Sequence, residues 1–134
     1  MILVPFEAHH AALIRPQGAQ ACEASLDGVP PGESWTAVQD GVPLACFGVV
    51  PLWNGRGYCW ALLDQDSGPY MLHLTRAIRS LIARADWRRI EMAVDSGFAA
   101  GCRWAEMLGF QRENDKPARK FFPDGRDAWL YARV

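Results

Sequence analysis

Four cysteines, three histidines and a group of arginines carry the most reactive side chains of this 134-residue sequence. Cys22, Cys46, Cys59 and Cys102 lie at gaps too wide and irregular for the paired C-x-x-C ligands of a zinc site. Cys46 and Cys59 fall inside apolar runs, which reads them as small buried hydrophobes. His9, His10 and His73 do not pair with cysteines at ligand spacing, so no metal site is expected. Arg76, Arg79, Arg84, Arg88 and Arg89 lie on or just after one predicted helix. They suit either an anionic partner or an ordinary solvated face whose cations favour the helix C-terminus. Leu52 and Trp53, beside a turn, suit either a partner surface or the core. Phe121, Phe122, Trp129 and Tyr131 suit either an interaction surface or a hairpin zipped into its sheet.

The elements that position these groups follow from pattern and punctuation. MILVPF reads as a first strand and Ala8 to Ile14 as a helical turn or two, ended by Arg15-Pro16 because the residue before proline avoids helical geometry. A short helix is expected over Gln17 to Leu26, before the breaker Asp27-Gly28-Val29-Pro30-Pro31-Gly32. Ser34 to Gln39, Leu44 to Val50 and Tyr58 to Leu63 read as strands of an antiparallel meander, with turns at Asp40-Gly41 and Asn54-Gly55-Arg56-Gly57. Gly68-Pro69 opens a helix to about Ala85, on which Met71, Leu74, Ile78, Leu81, Ile82 and Ala85 form one stripe. Arg89 to Val94 is a strand, and Asp95 or Ser96 is placed to cap a helix from Phe98 to Leu108 that Gly109 closes. Phe110 to Glu113 starts another strand. Lys120-Phe121-Phe122, Pro123-Asp124-Gly125 and Ala128 to Arg133 read as a final hairpin.

Composition sets the limits. At 134 residues the whole chain, 1–134, reads as a single domain large enough for its own core. Its 50% hydrophobic and 22% charged residues exclude a disordered chain, and no apolar stretch approaches the ~20 residues of a membrane span. A net charge of -1 gives no support to nucleic-acid affinity. MILVPFEAHH shows no cationic leader region, so a secreted protein is not expected.

The element order, the meander and the segment FAAGCRWAEMLGF, with its Met107-Leu108-Gly109-Phe110 helix end, resemble the GNAT superfamily of acyl-CoA N-acyltransferases. The resemblance implies an α/β (α+β) single domain with a mixed, mostly antiparallel central sheet flanked by helices. More narrowly, LIRPQGAQACEASL, WTAVQDGVPLACFGVVP and GCRWAEMLGF, with Trp35, Gly48, Trp60 and Trp104, resemble small GNAT-like internal-virion-type proteins of short-tailed bacteriophages.

The resemblance also assigns roles. The family's diphosphate loop, Q/R-x-x-G-x-G/A, falls on Gln65-Asp66-Ser67-Gly68-Pro69-Tyr70, so Gln65, Ser67 and Gly68 are the implied cofactor contacts. Pro69 lacks an amide hydrogen, Tyr70 brings a phenol to a small-residue position, and Asp66 adds a like charge. The family's late-helix asparagine and general-acid tyrosine fall on Phe98 and Ala105, and no residue is selected to replace them; Tyr70, Cys102 or a water are the options. Glu33 and Asp64 are the carboxylates beside the meander that offer a general base. If the arginines meet an anionic partner rather than solvent, a 3′-phosphate of coenzyme A or a nucleic-acid backbone would be such a partner. These mismatches imply a phage-type protein with a degenerate acyl-CoA site and no cofactor, binding phage structural or host proteins in the host cytoplasm or the virion. The alternative is an active N-acetyltransferase that uses acetyl-CoA.

Overall fold

The computed structural model describes residues 1–18 and 28–134. The helix expected over Gln17 to Leu26 therefore lies almost wholly outside the described residues, as does Cys22. The chain runs β1 (Ile2–Pro5), α1 (Ala8–Leu13), β2 (Glu33–Gln39), β3 (Val42–Trp53) and β4 (Arg56–Leu63). It continues through a 3-10 turn (Gly68–Tyr70), α2 (Met71–Arg84), β5 (Arg89–Asp95), α3 (Ala99–Met107), β6 (Gln111–Arg112) and β7 (Ala128–Arg133). One seven-stranded sheet has the order β1-β2-β3-β4-β5-β7-β6. Every neighbouring pair is antiparallel except β4–β5. This is the mixed, mostly antiparallel α/β domain that the sequence implies.

The meander forms where the turn residues demand it. Asp40 and Gly41 both take positive φ, 51° and 77°, which is the two-residue geometry that matches the strand twist of a hairpin. Period-2 alternation then sorts the strands' side chains. Ala45, Phe47 and Leu63 join Leu74, Ile78 and Ile82 of α2 and Cys102, Ala105 and Leu108 of α3 in the main core. Cys46 and Leu62 face the other way, toward Phe6, Ile14 and the edge of Trp60. Gly48 is a glycine because the Trp60 indole lies over it: a Cβ there would stand 2.9 Å from Nε1 and 2.6 Å from the Glu33 carbonyl oxygen.

Three expectations are corrected. Lys120-Phe121-Phe122 is not a strand, since Lys120 takes φ 51° and the segment turns back through bonds from Phe121 and Phe122 N–H to the Arg126 carbonyl. β7 instead inserts between β5 and β6. Neither Asp95 nor Ser96 caps α3; Phe98 holds the N-cap position, and Asp95 Oδ1 accepts the Gly97 N–H at 2.9 Å. Arg88 and Arg89 leave the solvated helix face. Arg88 donates to the Asn54 carbonyl, and Arg89 enters an ion network with Glu91 and Glu113.

β4 and β5 pair over only three positions, Arg56–Arg89, Gly57–Ile90 and Tyr58–Glu91. Two arginines opposite one another would repel, and Glu91 resolves this by bridging both. Arg56 donates to it through NH2 at 2.6 Å and Nε at 3.1 Å, and Arg89 through Nε at 2.6 Å. Arg56 and Arg89, the first through the stronger bonds, hold the Glu91 carboxyl below its ordinary value against the opposing effect of burial. A folded-state value below the unfolded one adds stability above ~4.3, the ordinary glutamate value, and loses it as pH falls through the depressed value. Glu91→Gln is therefore expected to cost about 1–3 kcal/mol at pH 7 and to flatten the acid limb of the stability curve. Urea melts of both proteins from pH 7 to pH 3 check this, and parallel curves would contradict it.

Candidate functional site

Beyond Tyr58 and Glu91 the two parallel strands part, because each is tied to the opposite side. The end of β4 is held toward α1 and β3. Asp64 is buried, accepts the Arg15 backbone N–H at 2.8 Å and takes Arg15 NH2 at 2.9 Å, while its own N–H donates to the Leu44 carbonyl. The end of β5 is held toward β7: Asp95 receives Arg126 NH1 at 2.6 Å, and the Ser96 N–H donates to the Asp127 carbonyl. Burial alone would raise the Asp64 carboxyl, but the Arg15 donors and the Asp66 N–H outweigh it and hold it below the ordinary range. Asp64 is thus a tether rather than a base.

A cavity of about 500 Å³ opens between the parted strands and extends under α2. Tyr58 to Ala61 of β4 and Met92 to Asp95 of β5 form two walls, with α2 and α3 over them. Its mouth carries Leu72 on α2 and Ala100, Arg103 and Met107 on α3. Trp104 Nε1 donates to Thr75 Oγ1 at 2.8 Å, and that hydroxyl donates to the Met71 carbonyl, so the two helices are joined across the cavity. Charged groups in the lining are few. Asp95 is neutralised by Arg126, whereas Arg103 and Glu33 make no ion pair among the described residues. The buried Trp60 Nε1 likewise has no acceptor.

The residues singled out from the sequence fall around this cavity unevenly. Phe98 and Gly101 line it, and Ala105 is buried in the core behind it with no proton to give. Gln65, Ser67, Gly68 and Tyr70 precede the cavity wall, which begins at Met71. Gln65 donates its side-chain N–H to the Pro16 carbonyl. Ser67 is fully buried with an unpartnered hydroxyl, and Gly68 is exposed with open space where a Cβ would be.

The amides of this turn are largely taken. Those of Asp64, Gln65, Ser67, Tyr70 and Met71 donate to backbone carbonyls, and that of Asp66 donates to Asp64 Oδ1. Pro69 has none, which leaves the Gly68 N–H as the turn's available donor among the described residues. Arg15 NH2 pairs with the Asp66 carboxylate, but the same guanidinium also holds Asp64, so one cation serves two carboxylates and a net negative charge stays beside the turn.

Other reactive groups have settled roles. Burial pushes the Cys59 thiol up to about 12, and burial, partly offset by a bond to Thr36, pushes Cys46 up to about 11. Cys46, Cys59 and Cys102 are free thiols. Burial first raises the Tyr131 phenol, which takes a bond from Arg112 and packs behind α3 with Cys102. Glu7, His9 and His10 bring possible ligand atoms within 4.8 Å, a grouping the spacing argument missed. There His10 Nδ1 accepts the Glu7 N–H, which leaves the ring proton on Nε2, the atom facing the Glu7 carboxylate. Glu7 and His10 form the capping box of α1. Trp53 is exposed under the Arg56 guanidinium, and Phe121 is exposed while Phe122 is buried. No described helix is long and apolar enough to cross a membrane.

A thiol at about 12 is ionised to about one part in ten thousand at pH 8. Cys59 is therefore expected to alkylate with iodoacetamide far more slowly than an unstructured cysteine peptide, by peptide mass mapping. Labelling at the peptide's rate would show that the cavity wall is wet and open.

No protein-family model and no curated protein matches the sequence. Solved structures do. Ard1 from Thermoplasma volcanium superposes with a TM-score of 0.76 at 12% identity, over 99% of this chain and 96% of that one. A GNAT-family acetyltransferase from Streptococcus pneumoniae gives 0.66 at 14% identity, over 98% and 97%. A putative acetyltransferase from Salmonella typhimurium, solved with its cofactor acetyl-CoA, gives 0.60 at 14% identity, over 77% of this chain and 64% of that one. Against this and several other acetyltransferases the chain spans under two thirds of their length, from 61% to 66%. At these identities the likeness concerns architecture: this chain has the GNAT acetyltransferase fold.

Proposed function

We propose that the chain binds an acyl-CoA in the cavity between β4 and β5 and passes the acyl group to an amine. The observation that carries this reading is the divergence of the parallel pair β4–β5, which opens into a largely apolar space of about 500 Å³ that continues under α2. A pocket of this size with a few convergent polar groups is the usual form of a small-molecule site. The Salmonella typhimurium neighbour holds acetyl-CoA, which supports the same ligand class here.

The fit is good for the arm of the ligand and weak for its phosphates. The parted strands would hold an apolar, narrow chain. Phosphate charge would meet the Gly68 N–H, the dipole of α2 and the unpaired Arg103 at the mouth. Bound acyl-CoA supplies an activated thioester carbonyl, on which an amine forms a C–N bond as the C–S bond breaks and the thiol departs. Glu33, the cavity carboxylate without an ion pair among the described residues, would take the proton that the amine loses. Nothing at Ala105 supplies an acid, so the leaving thiolate depends on water for its proton.

A second reading is favoured by the turn before α2, where Gly68 alone keeps an available N–H among the described residues, and by the buried Ala105. In it the cavity has lost turnover, and the domain acts by binding a protein, in a phage virion or on a host target. Calorimetry with acetyl-CoA and a thiol-release assay separate the two. The first reading expects micromolar binding, weakened at least tenfold by Arg103→Ala, and thiol release slowed about 100-fold by Glu33→Gln. Absence of binding at millimolar acetyl-CoA would leave only the second.

A further inference from the structure

Apolar side chains in the middle of a sheet and beneath a helix are normally covered completely. Here Val49, Cys59, Met92 and Val94 stay partly exposed although they pack against the main core, and the surface they show faces the cavity. The lumen continues under α2 well past the point where β4 and β5 part. Met71, Thr75, Ile78, Ile82 and Ala85 line it in turn, a run of ~21 Å at ~1.5 Å per residue.

The inner stretch has its own character. It is lined by Phe47 and Val49 and by Trp35 and Trp87. Gly57 lies against Val49 and Trp87: a Cβ there would stand 2.5 Å from Val49 Cγ1 and 3.1 Å from the Trp87 ring, which is why that residue is a glycine. One charged group belongs to this stretch. Glu33 lies directly across from Val49 in the β2–β3 register, on the face that also carries Trp35, and it is exposed without an ion pair among the described residues. The two ends of the lumen therefore differ in sign, with Arg103 at the α2–α3 mouth and Glu33 at the β2 side.

We infer that the Glu33 end is the acceptor site and that it takes a primary ammonium carried on an aromatic or branched apolar body. The carboxylate meets the cation, and the indoles of Trp35 and Trp87 offer π faces to cation and body alike. A polyamine would leave its second charge among Phe47, Val49 and Trp87 without a counter-ion, and a peptide acceptor would leave backbone groups there without partners. This inference rests on the acyl-transfer reading for its chemistry, but the binding step can be tested without it.

The test is a titration followed through the tryptophan indole N–H resonances of the intact chain, with 2-phenylethylamine, 2-phenylethanol and butane-1,4-diamine as probes. The expected result is saturable shifts of the Trp35 and Trp87 signals with 2-phenylethylamine, and at least tenfold weaker binding of the other two. Glu33→Gln should remove the preference for the amine over the alcohol and leave alcohol binding unchanged. Equal binding of amine and alcohol would overturn the role of Glu33. Equal or tighter binding of the diamine, or no shift with any probe, would overturn the acceptor assignment. Loss of acyl-CoA binding alone would remove the transfer reading and leave this titration to stand or fall on its own.

Discussion

Three arginine–carboxylate bridges shape the centre of this molecule, and the cavity exists because they pull in different directions. Glu91 clamps the start of β4 to the start of β5 by holding Arg56 and Arg89 together. Asp64, gripped by Arg15, draws the end of β4 toward α1, while Asp95, gripped by Arg126, draws the end of β5 toward β7. Parallel strands held at one end and anchored apart at the other cannot close their hydrogen-bond ladder. The space between them must be filled by side chains or by a ligand. In this chain it is bordered by Cys59, Ala61 and Ala93, which are too small to fill it.

Such bridges suit the task because they are partly buried. An exposed ion pair contributes little and would not hold strands apart against the tendency to pair. Removing one partner of a buried pair is costly, since it strands a charge in a poor solvent. Asp64 and Asp95 are both largely covered, and each also accepts a backbone N–H, so charge and backbone geometry fix them together. Thr75 and Trp104 complete the arrangement from above, setting the distance between α2 and α3 through one shared hydroxyl.

How much of this could be read from the sequence follows from the range of the interactions. The meander and α2 are local matters of alternation, Asp40-Gly41 and Asn54-Gly55 turns and an apolar stripe, and their places agree with the structure to within a few residues, apart from a longer β3. The bridges that fix Asp64 and Asp95 join residues 49 and 31 positions apart, and the Arg56–Glu91 pair spans 35, so no local pattern announces them. Arg89 lies only two residues from Glu91, but that Glu91 also faces Arg56 depends on the β4–β5 register. The last strand shows the same limit. Local pattern pairs Ala128 to Arg133 with the nearest preceding segment, whereas β7 lies between β6 and β5, the latter more than thirty residues upstream. Glu33 was legible as a carboxylate beside the meander, but its place opposite Val49 depends on strand register.

The weakness of the phosphate end has a consequence for where affinity would come from. A neutral N–H contributes about 0.5–1.5 kcal/mol and a bond from a charged donor about 1.5–3, so Gly68 and Arg103 together offer about 2–4.5 kcal/mol. Each 100 Å² of apolar surface removed from water contributes about 2.5 kcal/mol. A ligand filling the space between the strands would bury several times that area, so burial in the cleft outweighs the diphosphate contacts. On the acyl-CoA reading, the mismatches at Pro69 and Tyr70 would weaken the grip on the nucleotide without removing the main source of binding. They would shift recognition from the nucleotide toward the arm and the acyl group. Selectivity would then reside in the interior walls rather than in the turn before α2.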